Sequence, residues 1–153
     1  MINCVFCSII KGNIPSAKIW EDEEFLAILI DKPNIKGTTI IIPKKHYGSN
    51  IFDMPKEAYS RYLLSAIKVA KILEKGLDIG RVGMAFEGME INHAHIKLFP
   101  MIGVKKEFNQ TLFSKTIYFE KYEGYLTTQN GPKISIEERK KLAEEILKNA
   151  EKK

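Results

Sequence analysis

Apolar and polar residues alternate most clearly at His93-Ala94-His95-Ile96-Lys97-Leu98-Phe99, with Pro100 closing the run. A strand's period of two puts Ala94, Ile96 and Leu98 on one face and His93, His95, Lys97 and Phe99 on the other. Arg81 to Phe86 pairs with this run as an antiparallel partner, with a turn around Gly88. Upstream, the pattern predicts short strands at Ile19 to Trp20 and Phe25 to Ile30, with acidic Glu21-Asp22-Glu23-Glu24 as the turn. Pro33 to Gly37 is a loop, and β-branched Thr38 to Ile42 is a strand closed by Pro43.

Helical spacing joins Tyr59, Leu63, Ala66, Ile67, Ala70 and Leu73 in a helix starting near Pro55. Asp53 is its expected cap and Gly76 its stop. Ser135, with Glu138 three residues on, marks the capping box of a final amphipathic helix. Ile117 to Tyr122 reads as one further strand. Mixed strands with two substantial helices indicate a single α+β domain. Neither a repeat nor a linker divides its 153 residues.

Composition adds little to this picture. Hydrophobic content of 44% and charged content of 28% suit a globular protein. No apolar run approaches the ~20 residues that cross a bilayer, and Met1-Ile2-Asn3-Cys4 does not resemble the start of a signal peptide. A cytoplasmic protein with no membrane partner is therefore expected. The net charge of +5 permits anionic ligands, nucleotides or nucleic acid among them. Much of it lies at Arg139, Lys140, Lys141, Lys148, Lys152 and Lys153, interleaved with Glu137, Glu138, Glu144, Glu145 and Glu151, as on a solvated helix face.

Chemistry enters with the rare residues. His93, His95 and Lys97 in a row on a rigid strand suit attack on a phosphate, with a nucleophile, a positioning group and a cation. Cys4 and Cys7 are the only cysteines. They read as a redox dithiol, as half of a metal site, or as two small buried residues. A zinc site needs two further ligands in a tetrahedral set, which His46 and His93 could supply. His46 follows Pro43-Lys44-Lys45 just beyond a strand end, and those lysines would attract phosphate.

Three ordered motifs between Cys4 and Pro100 resemble the histidine triad (HIT) family of nucleotide hydrolases and transferases. Cys4-Val5-Phe6-Cys7-Ser8-Ile9-Ile10-Lys11-Gly12-Asn13-Ile14-Pro15-Ser16 is similar to the family's opening. Gly37-Thr38-Thr39-Ile40-Ile41-Ile42-Pro43-Lys44-Lys45-His46 is similar to its central strand and following loop. His93-Ala94-His95-Ile96-Lys97-Leu98-Phe99 resembles its signature, three histidines alternating with apolar residues. Residues 1–103 thus carry the motifs, and residues 104–153 form a C-terminal extension with a strand and a helix.

The resemblance implies a HIT-like antiparallel sheet flanked by helices, assembled as a homodimer. It also implies attack by His95 on the α-phosphorus of a dinucleoside polyphosphate or nucleoside phosphoramidate, through a nucleotidyl-histidine intermediate. A structural zinc ion on Cys4, Cys7, His46 and His93 is implied with it. The base and ribose would lie near Phe6, Ile10 and the Phe25 to Ile30 strand, with Asp31 as the nearest carboxylate for ribose hydroxyls.

The chain departs from the family pattern at several positions. Lys97 replaces the third histidine; it can contact a phosphate oxygen but shuttles protons poorly near neutral pH. Thr38 stands where a histidine is common after the loop glycine. Glu87-Gly88-Met89-Glu90-Ile91-Asn92 replaces the usual Gly-Gln-Ser/Thr stretch, and isoleucine occupies the polar ribose position at Ile30. These departures leave open a catalytically weak nucleotide-binding sensor or scaffold. A nucleic-acid-binding role is less favoured and would show strong salt dependence. Tyr118, Phe119, Tyr122 and Tyr125 in the extension would form a dimer contact or cover the site.

Overall fold

A computed structural model describes residues 4–104, 107 and 132–151 of the chain. Its elements are α1 (Val5–Ile10), β1 (Ala17–Glu21), β2 (Phe25–Leu29), β3 (Thr39–Pro43), a 3-10 turn (Ile51–Asp53), α2 (Lys56–Gly76), β4 (Val82–Ala85), β5 (Ile96–Pro100) and α3 (Ile136–Glu151). The strands form one antiparallel sheet in the order β1-β2-β3-β5-β4. The expected strand at Ile117 to Tyr122 and the tyrosines and phenylalanine near Gly124 lie outside the described residues. Among those described, no helix is long and apolar enough to cross a membrane.

Both faces of the sheet are covered, and the period of two divides them. Phe25, Ala27, Leu29, Ile41, Ile96 and Leu98 pack against α2 and against Ala143 and Ile146 of α3. Leu26, Ile28, Ile40 and Ile42 face the other way and pack with Cys4 and Phe6 around α1. This explains why β2 and β3 are buried at every position and read as continuous apolar runs rather than alternating ones. On β5 the expected alternation holds, with Ile96 and Leu98 inside and Lys97 and Phe99 half-buried.

Two expectations need correction. Asp53 does not cap α2. Its carboxylate accepts from Asn50 Nδ2 at 2.9 Å, and Pro55 occupies the N-cap position with no side-chain hydrogen bond. The buried stripe of α2 is also turned from the predicted one. Ala58, Tyr62, Ser65, Ala66, Val69, Leu73 and Gly76 are inside, while Leu64 and Ile67 are each 58% exposed. The turned stripe buries two hydroxyls, both hydrogen-bonded, and only that of Tyr62 reaches another element. Ser65 Oγ donates to the Tyr62 carbonyl at 2.7 Å. Tyr62 Oη donates to the Ile41 carbonyl at 2.6 Å and accepts from Ile96 N–H at 2.9 Å.

Tyr62 thereby bridges β3 and β5 where β5 begins. Burial pushes its phenol pKa well above the ordinary range, so it stays a neutral donor.

The last helix seats tightly. The Ser135 capping box is present: Ser135 N–H donates to Glu138 Oε2 at 2.8 Å and Glu138 N–H donates to Ser135 Oγ at 3.1 Å. Gly76 is more than a helix stop. A Cβ there would lie 2.3 Å from the Ile146 carbonyl oxygen, so the α2–α3 contact requires glycine.

Replacing Tyr62 with Phe leaves the Ile41 carbonyl and Ile96 N–H buried without their bridge. Denaturant unfolding of Tyr62→Phe is expected to show a loss of about 2–3 kcal/mol. A loss within a few tenths of wild type would show that the bridge is dispensable.

Candidate functional site

The segment between β4 and β5 sets the site. Gly88 has φ +67°, and a Cβ there would lie 2.6 Å from the Ser49 carbonyl oxygen. Close approach continues as Asn92 Oδ1 accepts from Ser49 N–H at 3.0 Å and Ala94 N–H donates to the Tyr47 carbonyl at 3.0 Å. These bonds lay residues 88–94 along the chain that leaves β3, so His93 comes beside His46. They also take His93 to His95 out of the regular ladder, and β5 starts at Ile96 rather than His93.

His93 is fully buried. Its Nε2 donates to the Pro43 carbonyl at 2.8 Å, which turns Nδ1 toward Cys4 Sγ at 3.4 Å and Cys7 Sγ at 3.6 Å. Cys7 Sγ lies 3.3 Å from His46 Nδ1. The ligand atoms of Cys4, Cys7, His46 and His93 all fall within 4.8 Å of one another.

Arms of about 2.3 Å to sulfur and 2.0–2.1 Å to nitrogen give tetrahedral edges of roughly 3.4–3.8 Å, close to those separations. The donor set therefore fits a tetrahedral cation. The carbonyl behind His93 is the kind of outer partner that orients a ligating imidazole. Burial and the neighbouring Cys4 raise the Cys7 thiol pKa, and burial lowers that of His93. A bound cation would reverse the first by taking the thiolate. Of the three readings open to Cys4 and Cys7, the geometry favours half of a metal site.

His95 points away from this cluster. Its Nδ1–H donates to the His93 carbonyl at 2.8 Å, which leaves the Nε2 lone pair free of the backbone. Burial lowers its pKa and favours the neutral ring, an effect opposed by that hydrogen bond and reinforced by Lys97. Phe6 of α1 meets both rings edge-on, with centroids 5.7 Å from His93 and 5.4 Å from His95. One aromatic side chain thus packs against both the candidate metal-ligand cluster and the candidate nucleophile.

His95 and Lys97 line a cavity of about 320 Å³. Its apolar wall comes from Phe6, Ile9, Ile28, Ile30, Ile40 and Ile91, and its polar rim from Asp31, Lys32, Glu90 and Arg139. Asp31, expected from the sequence, is on that rim. Lys97 is not simply presented to the cavity, because Nζ pairs with Glu87 Oε1 at 2.5 Å with both side chains nearly buried. Thr38, where the family often has histidine, instead closes its own loop by donating to the Ile35 carbonyl at 2.8 Å.

Sequence reasoning missed three residues here. Glu87 and Glu90 were noted only as departures from a pattern. Arg139 was placed on a solvated helix face, yet its side chain turns into the cavity. A signal was present, since Arg139 lies three or four residues from Ile136, Leu142 and Ala143 on the apolar stripe of α3.

Comparison with known proteins agrees with this geometry. The HIT domain family matches residues 11–103. An uncharacterized HIT-like protein, MJ0866, of Methanocaldococcus jannaschii is 36% identical over 101 residues, covering 63% of this chain and 78% of that relative. Adenosine 5'-monophosphoramidase HNT1 of Saccharomyces cerevisiae is 34% identical over 102 residues, covering 63% of this chain and 61% of that enzyme.

Among solved structures, a Zn-bound histidine triad family protein from Mycobacterium smegmatis superposes with a TM-score of 0.66 at 21% identity, covering 99% of this chain and 95% of that one. A Hit-like protein from Bartonella henselae gives 0.70 at 22% identity, covering 96% of each chain. At those identities the likeness speaks to the fold alone. With a family match across more than half its length and an α+β fold to suit, the chain belongs to the HIT domain family.

Proposed function

We propose that the protein is a nucleotide hydrolase or nucleotidyl transferase that uses His95 as its nucleophile. The observation that carries this reading is the hydrogen bond from His95 Nδ1–H to the His93 carbonyl, which commits the ring to one tautomer with Nε2 as the basic nitrogen. In the first step Nε2 bonds to the α-phosphorus, and the bond to the leaving amine or phosphate breaks with its electron pair. In the second, the oxygen of water or another acceptor bonds to that phosphorus and gives its proton to solvent, while the phosphorus–Nε2 bond breaks and returns its electron pair to His95. Two easier displacements replace one difficult one. Stabilising charge on the phosphoryl oxygens falls to Lys97, whose ammonium has three donors and can share them between Glu87 and the substrate.

The substrate classes are dinucleoside polyphosphates and nucleoside phosphoramidates, the second supported by the activity in the name of the yeast relative. Asp31 on the cavity rim is placed to accept from ribose hydroxyls. Cys4, Cys7, His46 and His93 would hold structural zinc, since four protein ligands close a tetrahedral sphere. Ligand thiols of this kind suit a reducing cytoplasm. A homodimer is supported by β4 at the sheet's end with Met84 49% exposed, and by exposed Leu64 and Ile67 on α2.

A second reading, a nucleotide sensor with little catalysis, is favoured by one observation: the cation at the third signature position is already paired with Glu87.

Assay of wild type and His95→Ala against both substrate classes tests the proposal. The variant is expected to lose turnover by a factor on the order of 10³ or more while keeping its melting temperature. Near-wild-type turnover in His95→Ala would sink the mechanism. No turnover by a folded wild type that binds nucleotides would establish the sensor.

Lys97→Met strands a nearly buried carboxylate, and a stability loss of about 3 kcal/mol is expected. Adding Glu87→Gln should restore most of that stability without restoring turnover. Recovery of both would make the pair purely structural.

Protein prepared without added zinc is expected to hold about one equivalent, and its removal by chelator should lower the melting temperature. Metal-free protein of unchanged stability would argue against the site.

A further inference from the structure

Arg139 belongs to α3, outside residues 11–103 that match the HIT domain, yet it lines the same cavity as His95. Its placement is well determined. Ile134 N–H donates to the Asp31 carbonyl at 2.9 Å, stitching the entry of α3 to the chain that leaves β2. The capping box fixes the first turn, and the glycine contact at Gly76 seats the far end. From that position Arg139 Nη1 donates to the Leu29 carbonyl at 3.4 Å, a long bond. Its Nε is buried and has no hydrogen-bond partner among the described residues. A guanidinium carries five N–H donors, and a buried one without an acceptor is costly. A small shift of the guanidinium into the cavity would bring it to an acceptor on a bound ligand and relieve that cost.

The sheet indicates which part of a ligand that would be. His95 precedes β5 and Lys97 lies on it, while Leu29 ends β2, two strands away with β3 between. Two strand spacings come to about 10 Å. A nucleoside 5'-phosphate with its phosphorus at His95 extends that far with its sugar and base. Asp31 supplies an acceptor on the rim and Arg139 a donor. Such a pair suits hydroxyls, which both give and take hydrogen bonds.

We propose that the guanidinium of Arg139 donates to a ribose hydroxyl oxygen of the bound nucleotide, while Asp31 accepts from the same diol, so that the C-terminal helix is part of the nucleotide site. This rests on the nucleotide reading above and extends it beyond the family's own domain. The isoleucine at the family's polar ribose position, Ile30, removes one contact there, and Arg139 supplies another from a different element.

The test is calorimetric binding of AMP and GMP, and of their 2',3'-dideoxy forms, to wild type, Arg139→Gln and Arg139→Lys, with melting temperatures alongside. Wild type is expected to prefer the ribose forms. Arg139→Gln should bind the ribose forms about tenfold more weakly, bind the dideoxy forms as wild type does, and so lose the preference. Arg139→Lys, which keeps the charge but not the planar fork, should fall between and carries the comparison if the glutamine variant does not fold.

Wild-type affinities in both variants, with only the melting temperature lowered, would make Arg139 structural and overturn the inference. Equal weakening for ribose and dideoxy ligands would show that it does not read the diol. A wild type that binds no nucleotide would remove the nucleotide reading itself, and this inference with it.

Discussion

His93 is held from three sides, and the geometry of the site follows from that. Its Nε2–H is committed to the Pro43 carbonyl, its Nδ1 faces the two thiols, and its own carbonyl accepts the proton of His95 Nδ1. A buried imidazole with every polar atom assigned cannot rotate without orphaning one of them, which is expensive in a low-dielectric interior. The four-ligand cluster and the proposed nucleophile His95 are therefore coupled through one residue. Orientation on one side is transmitted through the backbone carbonyl to the tautomer on the other.

The scaffold that keeps His93 in place is the doubly covered sheet. Because β2 and β3 are apolar on both faces, α2 and α3 pack on one side and α1 on the other. Helix α1 brings Phe6 and the cysteines onto the face that carries His95. Tyr62, reaching through from the opposite face, ties β3 to the first residue of β5. Precision at the segment from His93 to His95 comes from these supports, since the segment itself lies outside the regular ladder.

Much of this was legible in the chain. Period-two alternation located β5 and its core face, and the rarity of cysteine and histidine made a four-ligand set the economical reading. The Ser135 capping box predicted the start of α3 directly. What was not legible depended on which of several chemically possible partners each side chain meets. The α2 stripe centres on Tyr62, whose hydroxyl partners lie on β3 and β5, which no periodicity encodes. Asp53 has the chemistry of a cap but is taken by Asn50. Lys97 meets Glu87 because the β4–β5 register sets Lys97 opposite Ala85, two residues before Glu87, and Arg139 joins the cavity because residues beyond the family's motifs dock beside Asp31.

The most direct test of the account is to locate the covalent intermediate. Protein quenched in acid-free denaturant during turnover of an adenosine phosphoramidate should carry a single nucleotidyl group. Mass spectrometry should map it to His95, and heteronuclear NMR should place phosphorus on Nε2, as the hydrogen bond at Nδ1 requires. Phosphorus on Nδ1, a nucleotidyl group on another residue, or product formed with no adduct at all would contradict the account.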